Sequence, residues 1–285
     1  MRPTKYSSIN LHGLAGPEYA TGQGRERFVR RSIGASVIAF WSVWLLITAS
    51  VVAAPRVDRD VDGFAEAVWT VTLYRVSGEA RVRESMVMYD EEGNRIQEFT
   101  YGSKGEVALK SIYVFEGQAR PTRIMYYNPD NSPKACNALF YDEEGYRVRG
   151  EQTGSDGSAL GCTVYMYDDF GDEIARAVYD SEGSLISETR TAYDDRGRIT
   201  EKVTYGPGGV VSRRAKFEYD PDRGHLVRES GFDDKGEYFA IYESNRYGNW
   251  VQRTTYRPAG PGPNPRWVPA EVHVRDITYY GCRVC

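Results

Sequence analysis

The sequence predicts an all-β chain of antiparallel β-hairpin repeats, forming an extended sheet or a β-solenoid and preceded by one hydrophobic helix. Three observations carry this. The motif Tyr-Asp-x-x-Gly recurs, at Tyr89, Tyr141, Tyr167, Tyr179 and Tyr193, with an inserted residue at Tyr219 and a Phe variant at Phe232. With weaker copies at Tyr101, Tyr113, Tyr127, Thr153 and Tyr205, the anchor positions follow one another at 12–14 residues, and from 141 to 219 they repeat every 26. Tyr and Gly, 22 and 29 of the 285 residues, are in surplus because they occupy the two ends of that motif. Evenly spaced turn signals separating short alternating stretches indicate β architecture, and a fixed period indicates a repeat array.

Residues 1–32 form a basic tail in which Arg25, Arg27, Arg30 and Arg31 precede a hydrophobic run. Residues 33–54 are uncharged and long enough, as a helix, to cross the ~30 Å of a bilayer core. This segment is either a signal peptide or a retained transmembrane anchor. Val51 and Ala53 suit the −3 and −1 positions of a signal-peptidase site, whereas the run exceeds the usual signal core. The flanking arginines keep the N-terminus in the cytoplasm and export the rest. The expected location of residues 55–285 is therefore the periplasm, the outer surface, or the outer side of an inner membrane that anchors them. If uncleaved, residues 33–54 are also the contact with the membrane.

Residues 55–84 read as a lead-in, 85–257 as the β-repeat domain, and 258–285 as a Pro/Gly linker with a final strand and a terminal Cys-x-x-Cys. Within a repeat, Asp caps the turn through its side chain and Gly supplies the left-handed conformation that ends it. The 8–10 residues between turns alternate, yet neither face is wholly apolar. Alternate turns fall at one sheet edge, which places Asp90, Asp142, Asp168, Asp194 and Asp220 together. That acidity reads either as turn capping and solubility or as a rim that binds a cation or a basic partner.

The pattern resembles the YD-repeat (RHS) family of bacterial cell-envelope proteins. The residues carrying it are the Tyr-Asp-x-x-Gly turns, the apolar positions Ile96, Val148, Ile174, Ile186, Ile199 and Leu226 after the Gly, and the ending Tyr247-Gly248-Asn249-Trp250. The resemblance covers about residues 85–257. It implies an extended extracytoplasmic β array linked with surface binding or carbohydrate contact. The 26-residue period departs from the family's shorter one, and no self-cleaving core follows.

Little in the composition supports catalysis. His12, His225 and His273 are isolated, and no nucleophile–base grouping is visible. A balance of 36 basic against 40 acidic residues excludes a strongly basic nucleic-acid binder. No cofactor is implied. Asp58, Asp60 and Asp62 match the first half of a calcium loop, but Trp69 stands where the bidentate Glu belongs. They are weak metal candidates beside a reading as solvated linker. Tyr126, Tyr165 and Tyr242 are weak candidates for stacking on a sugar. Cys136, Cys162, Cys282 and Cys285 are disulfide candidates in an exported chain. Cys136 and Cys162 occupy equivalent positions one super-period apart. In a flat meander they stand two strands apart, roughly 9–10 Å, too far for a bond needing about 5.5 Å between Cα atoms. In a two-strand solenoid they are neighbours.

The expectation is thus a non-enzymatic exported envelope protein, a surface or periplasmic binding or scaffold module for a carbohydrate or protein ligand. The alternative is an accessory or presentation domain of a toxin or envelope enzyme system.

Overall fold

The computed structural model of the chain describes residues 57–260 and 265–281. A four-residue helix α1 (Asp58–Val61) is followed by sixteen strands. The first eight are β1 (Val68–Ser77), β2 (Ala80–Tyr89), β3 (Arg95–Tyr101), β4 (Val107–Val114), β5 (Arg123–Tyr127), β6 (Pro133–Tyr141), β7 (Arg147–Gly154) and β8 (Ala159–Tyr167). The others are β9 (Glu173–Asp180), β10 (Leu185–Tyr193), β11 (Ile199–Tyr205), β12 (Val211–Tyr219), β13 (Leu226–Asp233), β14 (Gly236–Ser244), β15 (Trp250–Ala259) and β16 (Arg266–Tyr279). Every strand pairs antiparallel with its sequence neighbours, and β1 also pairs with β16. The sheet is therefore a closed barrel.

This corrects the open sheet or solenoid expected from the repeats. The turns themselves explain the closure. At each of Tyr89, Tyr101, Tyr141, Tyr167, Tyr193, Tyr205 and Tyr219 the pairing register slips by one residue. Ala192 pairs with Glu201, for example, while Tyr193 pairs with Ile199, leaving one extra residue between them. Each slip is a β-bulge, and bulges bend and twist the strand that carries them. Repeated at both ends of successive hairpins, they curl the sheet until its edges meet. The meeting edges fit: Val71 faces Ile277, Leu73 faces Arg275, and the Thr70 and Thr278 hydroxyls lie 2.5 Å apart. Closure also removes the exposed edges that invite aggregation.

The turns at Asp90, Asp142, Asp168, Asp194 and Asp220 share one rim. Each Asp accepts backbone N–H groups of its own turn, as Asp194 does from Arg196 and Arg198 at 2.9 Å. Gly171 has φ +78°, and the Tyr146 ring packs where a side chain would begin, so both the turn and its neighbour require glycine there. The rim tyrosines reach sideways. Tyr141, Tyr167, Tyr193 and Tyr219 donate to the carbonyls of Pro121, Arg147, Glu173 and Ile199 at 2.8–3.0 Å. Each bond ties a turn to the start of the preceding hairpin.

Cys136 and Cys162 are free thiols. They point outward from β6 and β8, with Thr153 and Glu151 of β7 between them. The candidate bridge between them does not form, because the intervening strand separates the sulfurs, as in the flat-meander alternative. Cys282 and Cys285 lie outside the described residues, as does the predicted signal or anchor helix of residues 33–54. Among the described residues no helix is long and apolar enough to cross a membrane.

Candidate functional site in the barrel lumen

Strand alternation sends every second side chain into the barrel. The inward positions are strongly polar. They include Arg147 of β7, Arg176 of β9, Lys202 of β11, Arg213 of β12, Glu229 of β13, Arg253 of β15, and His273 and Arg275 of β16. Tyr113, Tyr126, Tyr165, Tyr238 and Tyr242 interleave with them. A cavity of about 880 Å³ opens among β1, β6–β16 and the segment leading into β1. A second space of about 380 Å³ lies between Thr189, Lys202, Thr204, Arg213, Phe217 and Glu229.

Glu229 organises one wall. Its carboxylate is almost fully buried and accepts the hydroxyls of Tyr238 and Tyr242, each at 2.5 Å. Arg253 and Arg213 approach it at 3.4 and 3.5 Å. Burial alone pushes this carboxyl up, but Arg253, the two phenols and Arg213 together outweigh it and hold the pKa below the ordinary value. Burial, and then its contact with Glu229, raises the Tyr238 phenol to about 12. Arg253 also donates to Tyr242 Oη at 3.0 Å and Thr255 Oγ1 at 2.9 Å.

Arg275 differs. Its guanidinium lies 3.5 Å above the Trp250 ring centroid and 5.0 Å from that of Phe64. Its Nε has no hydrogen-bond partner. Burial depresses its pKa to about 10, with only weak opposition from Tyr89 and Asp62.

The segment before β1 lies against the acidic rim and forms part of the cavity wall. Asn249, almost fully buried, accepts from Ala65 N at 2.8 Å and donates to Ala65 O at 3.0 Å. The three candidate metal carboxylates serve this segment. Asp62 pairs with Arg95 and accepts the Tyr89 hydroxyl. Asp58 accepts the Arg95 backbone N–H at 3.0 Å. Asp60 meets Arg59 at 3.5 Å. The calcium-loop spacing thus fixes a helical turn to the rim, and its carboxylates face different partners.

The three candidate tyrosines all point into the lumen. Tyr165 is buried between Arg147 and Arg176, whose guanidinium carbons sit 4.5 and 5.2 Å from its ring centroid. Tyr242 packs edge-on to Trp250 at 5.5 Å. Tyr126 of β5 lies across from Ser111 and Ala135 and interacts electrostatically with Tyr165 and Arg147. The lumenal Arg, Lys and Glu were missed in the sequence. Their signal was a charged residue on the same alternation phase as the large aromatics, strand after strand.

The outer wall is divided. Over β2–β5 it presents Met86, Met88, Phe99, Ile112 and Met125, with Gln97 and Lys110 among them. Over β10–β13 it presents Glu188, Arg190, Glu201, Arg214, Glu218 and Arg228, in ion pairs such as Arg190–Glu188 at 2.6 Å and Arg214–Glu201 at 3.3 Å. A membrane-spanning barrel needs an apolar band on all sides, and a mid-strand Arg facing lipid costs about 2–4 kcal/mol. The charged sector is suited to water.

No protein-family model matches the chain, and no curated protein matches it. Among solved structures, a porin-like protein from Bacteroides uniformis aligns with a TM-score of 0.52 at 7% identity, over 75% of this chain and 99% of that one. At that identity the likeness is one of fold. A porin-like protein from Bacteroides vulgatus aligns at a TM-score of 0.32 and 14% identity, over 75% of this chain and 99% of that one. The TcdB2–TccC3–Cdc42 complex aligns at 0.27 and 11%, over 70% of this chain and 14% of the matched one. The closed barrel and the porin-like neighbour overturn the YD-repeat (RHS) resemblance: the recurring turns build hairpins of a barrel.

Proposed function

We propose that the chain is a non-enzymatic binding protein of the cell envelope that takes a carbohydrate into its barrel lumen. The observation that carries this reading is the cavity of about 880 Å³, walled by phenols, guanidinium groups and the Trp250 indole. Its volume suits a small ligand or a short oligosaccharide. Phenols and guanidinium groups supply hydrogen bonds to hydroxyls, and rings supply apolar faces for the C–H side of a sugar. Catalysis has less support, because the buried carboxylate Glu229 is committed to two phenols and two arginines.

Location outside the cytoplasm rests on the basic tail and apolar run of residues 1–54. The charged outer sector over β10–β13 favours a barrel surrounded by water and held near the membrane by that run, over one embedded in lipid. A glycan array probed with the purified protein tests the reading. Binding of a defined oligosaccharide, lost on Trp250→Ala, is the expected result. Absence of any glycan signal, with capture of an envelope protein instead, overturns it.

A further inference from the structure

The 380 Å³ space on the β10–β13 wall has a charge imbalance that the fold itself does not use. Lys202 and Arg213 bring two positive charges, and Glu229 brings one negative charge. Glu229 is already satisfied by Tyr238, Tyr242, Arg213 and Arg253. The neighbouring Arg176 is matched by Glu173 at 2.9 Å. Lys202 is left over. Among the described residues it has neither an ion-pair partner nor a hydrogen-bond partner, and its side chain is exposed to the lumen. Thr204 and Thr189, whose hydroxyls meet at 3.1 Å, line the same space. Phe217 forms an apolar side.

We infer that this space is an anion subsite, in which Lys202 and Arg213, with the Thr189–Thr204 hydroxyl pair, receive a carboxylate, sulfate or phosphate group of a lumenal ligand. The inference rests on the lumenal binding reading and narrows its ligand to an acidic carbohydrate.

The geometry is that of a receptor. The Lys202 ammonium shares the space with the Arg213 guanidinium and feels Arg176, and an anion arriving there relieves the repulsion among like charges. Enclosure, and then Arg176 and Arg213, lower the Lys202 pKa, although Glu173 and Glu229 oppose the shift. Of the two threonine hydroxyls bonded to each other, the accepting one keeps its own O–H free to donate. An oxyanion would thus meet two cations and one free hydroxyl donor. The chain as a whole is acidic, with a formal charge of −4, so a positive pocket inside it is selective and not a reflection of overall charge.

The test uses the full-length protein in detergent at low ionic strength, with inorganic sulfate and the pair D-glucuronate and D-glucose as probes, read by calorimetry and thermal melting. Saturable sulfate binding that raises the melting temperature, and glucuronate preferred over glucose by at least about tenfold, are expected. Lys202→Met should abolish both effects and Lys202→Arg should restore most of them. No saturable sulfate effect on the wild type overturns the subsite without reference to any variant. An equal effect in wild type and Lys202→Met places the anion elsewhere and also overturns it. Neutral glycan binding on the array without a sulfate effect defeats the subsite and leaves the lumenal reading standing. A Lys202-dependent sulfate effect without glycan binding does the reverse.

Discussion

The Tyr167 hydroxyl donates to the carbonyl oxygen of Arg147 at 3.0 Å, from the end of β8 to the start of β7. The same bond recurs from Tyr141, Tyr193 and Tyr219, always reaching twenty residues back. It explains why the motif begins with Tyr and not Phe. The ring fills the rim, and the hydroxyl bonds a carbonyl at or just before a strand start. Replacing one hydroxyl, as in Tyr193→Phe, is expected to cost about 1 kcal/mol. Tyr141→Phe and Tyr219→Phe are far apart and should add. Urea denaturation of the single and double variants checks this; no loss in either single variant refutes the role of the ladder.

The phenols also set an alkaline limit. Burial raises Tyr113, Tyr141 and Tyr238 to about 12, against an ordinary phenol value of about 10. A phenol whose folded pKa exceeds its unfolded one keeps its proton longer in the native state. Its stabilising contribution is complete below about pH 10 and is lost as pH rises toward 12. The barrel should therefore unfold cooperatively in that window, and phenolate absorbance should appear together with loss of the β circular dichroism. Phenolate formation well before unfolding would refute this.

Turns and strands were legible because each is a local decision: Asp caps, Gly turns, and the stretch between alternates. Closure was not. It depends on a one-residue slip at Tyr89, Tyr141, Tyr193 and their equivalents, which is small in any one hairpin and decisive when summed. It also depends on β1 and β16 recognising each other across some two hundred residues. The mixed polarity of both strand faces was visible but misleading. A sheet wetted on one side by solvent and on the other by a lumen has no uniformly apolar face. Arg213 and Arg214, adjacent in sequence, illustrate the point: one faces Thr204 in the lumen and the other lies outside, 3.3 Å from Glu201.

Glu229 gives the opposite pH limb. Its folded pKa is depressed, with the pull of Arg253, the two phenols and Arg213 exceeding the upward push of burial. A depressed carboxylate contributes stability above its unfolded pKa, and that contribution disappears as pH falls through the folded one. Removing it strands Arg253 and Arg213 against each other. Glu229→Ala should cost about 3–5 kcal/mol, and Glu229→Gln less, because the amide still bonds Tyr238 and Tyr242. Both variants should lose the part of the wild-type acid sensitivity that belongs to this group. Chemical denaturation across the acid range measures both effects; an Ala variant as stable as wild type contradicts them.

Arg275 should behave in reverse. It is a buried cation with an unpartnered Nε, and its attraction to Trp250 is set against burial that depresses its pKa to about 10. A depressed basic group marks a charge the fold holds at a cost, since the unfolded chain protonates it more readily. Replacing such a charge by an apolar side chain of similar length is neutral or stabilising, by about 1–4 kcal/mol where it helps. Arg275→Met keeps the stem packed on Trp250 and Phe64 and removes the charge. The expected outcome is a higher melting temperature at neutral pH, with the advantage shrinking as pH rises above about 10, where the wild-type group begins to lose its proton. Trp250 fluorescence should change with the substitution, because the guanidinium lies directly over the indole. A melting temperature lowered at every pH would show instead that the stacked guanidinium stabilises the barrel.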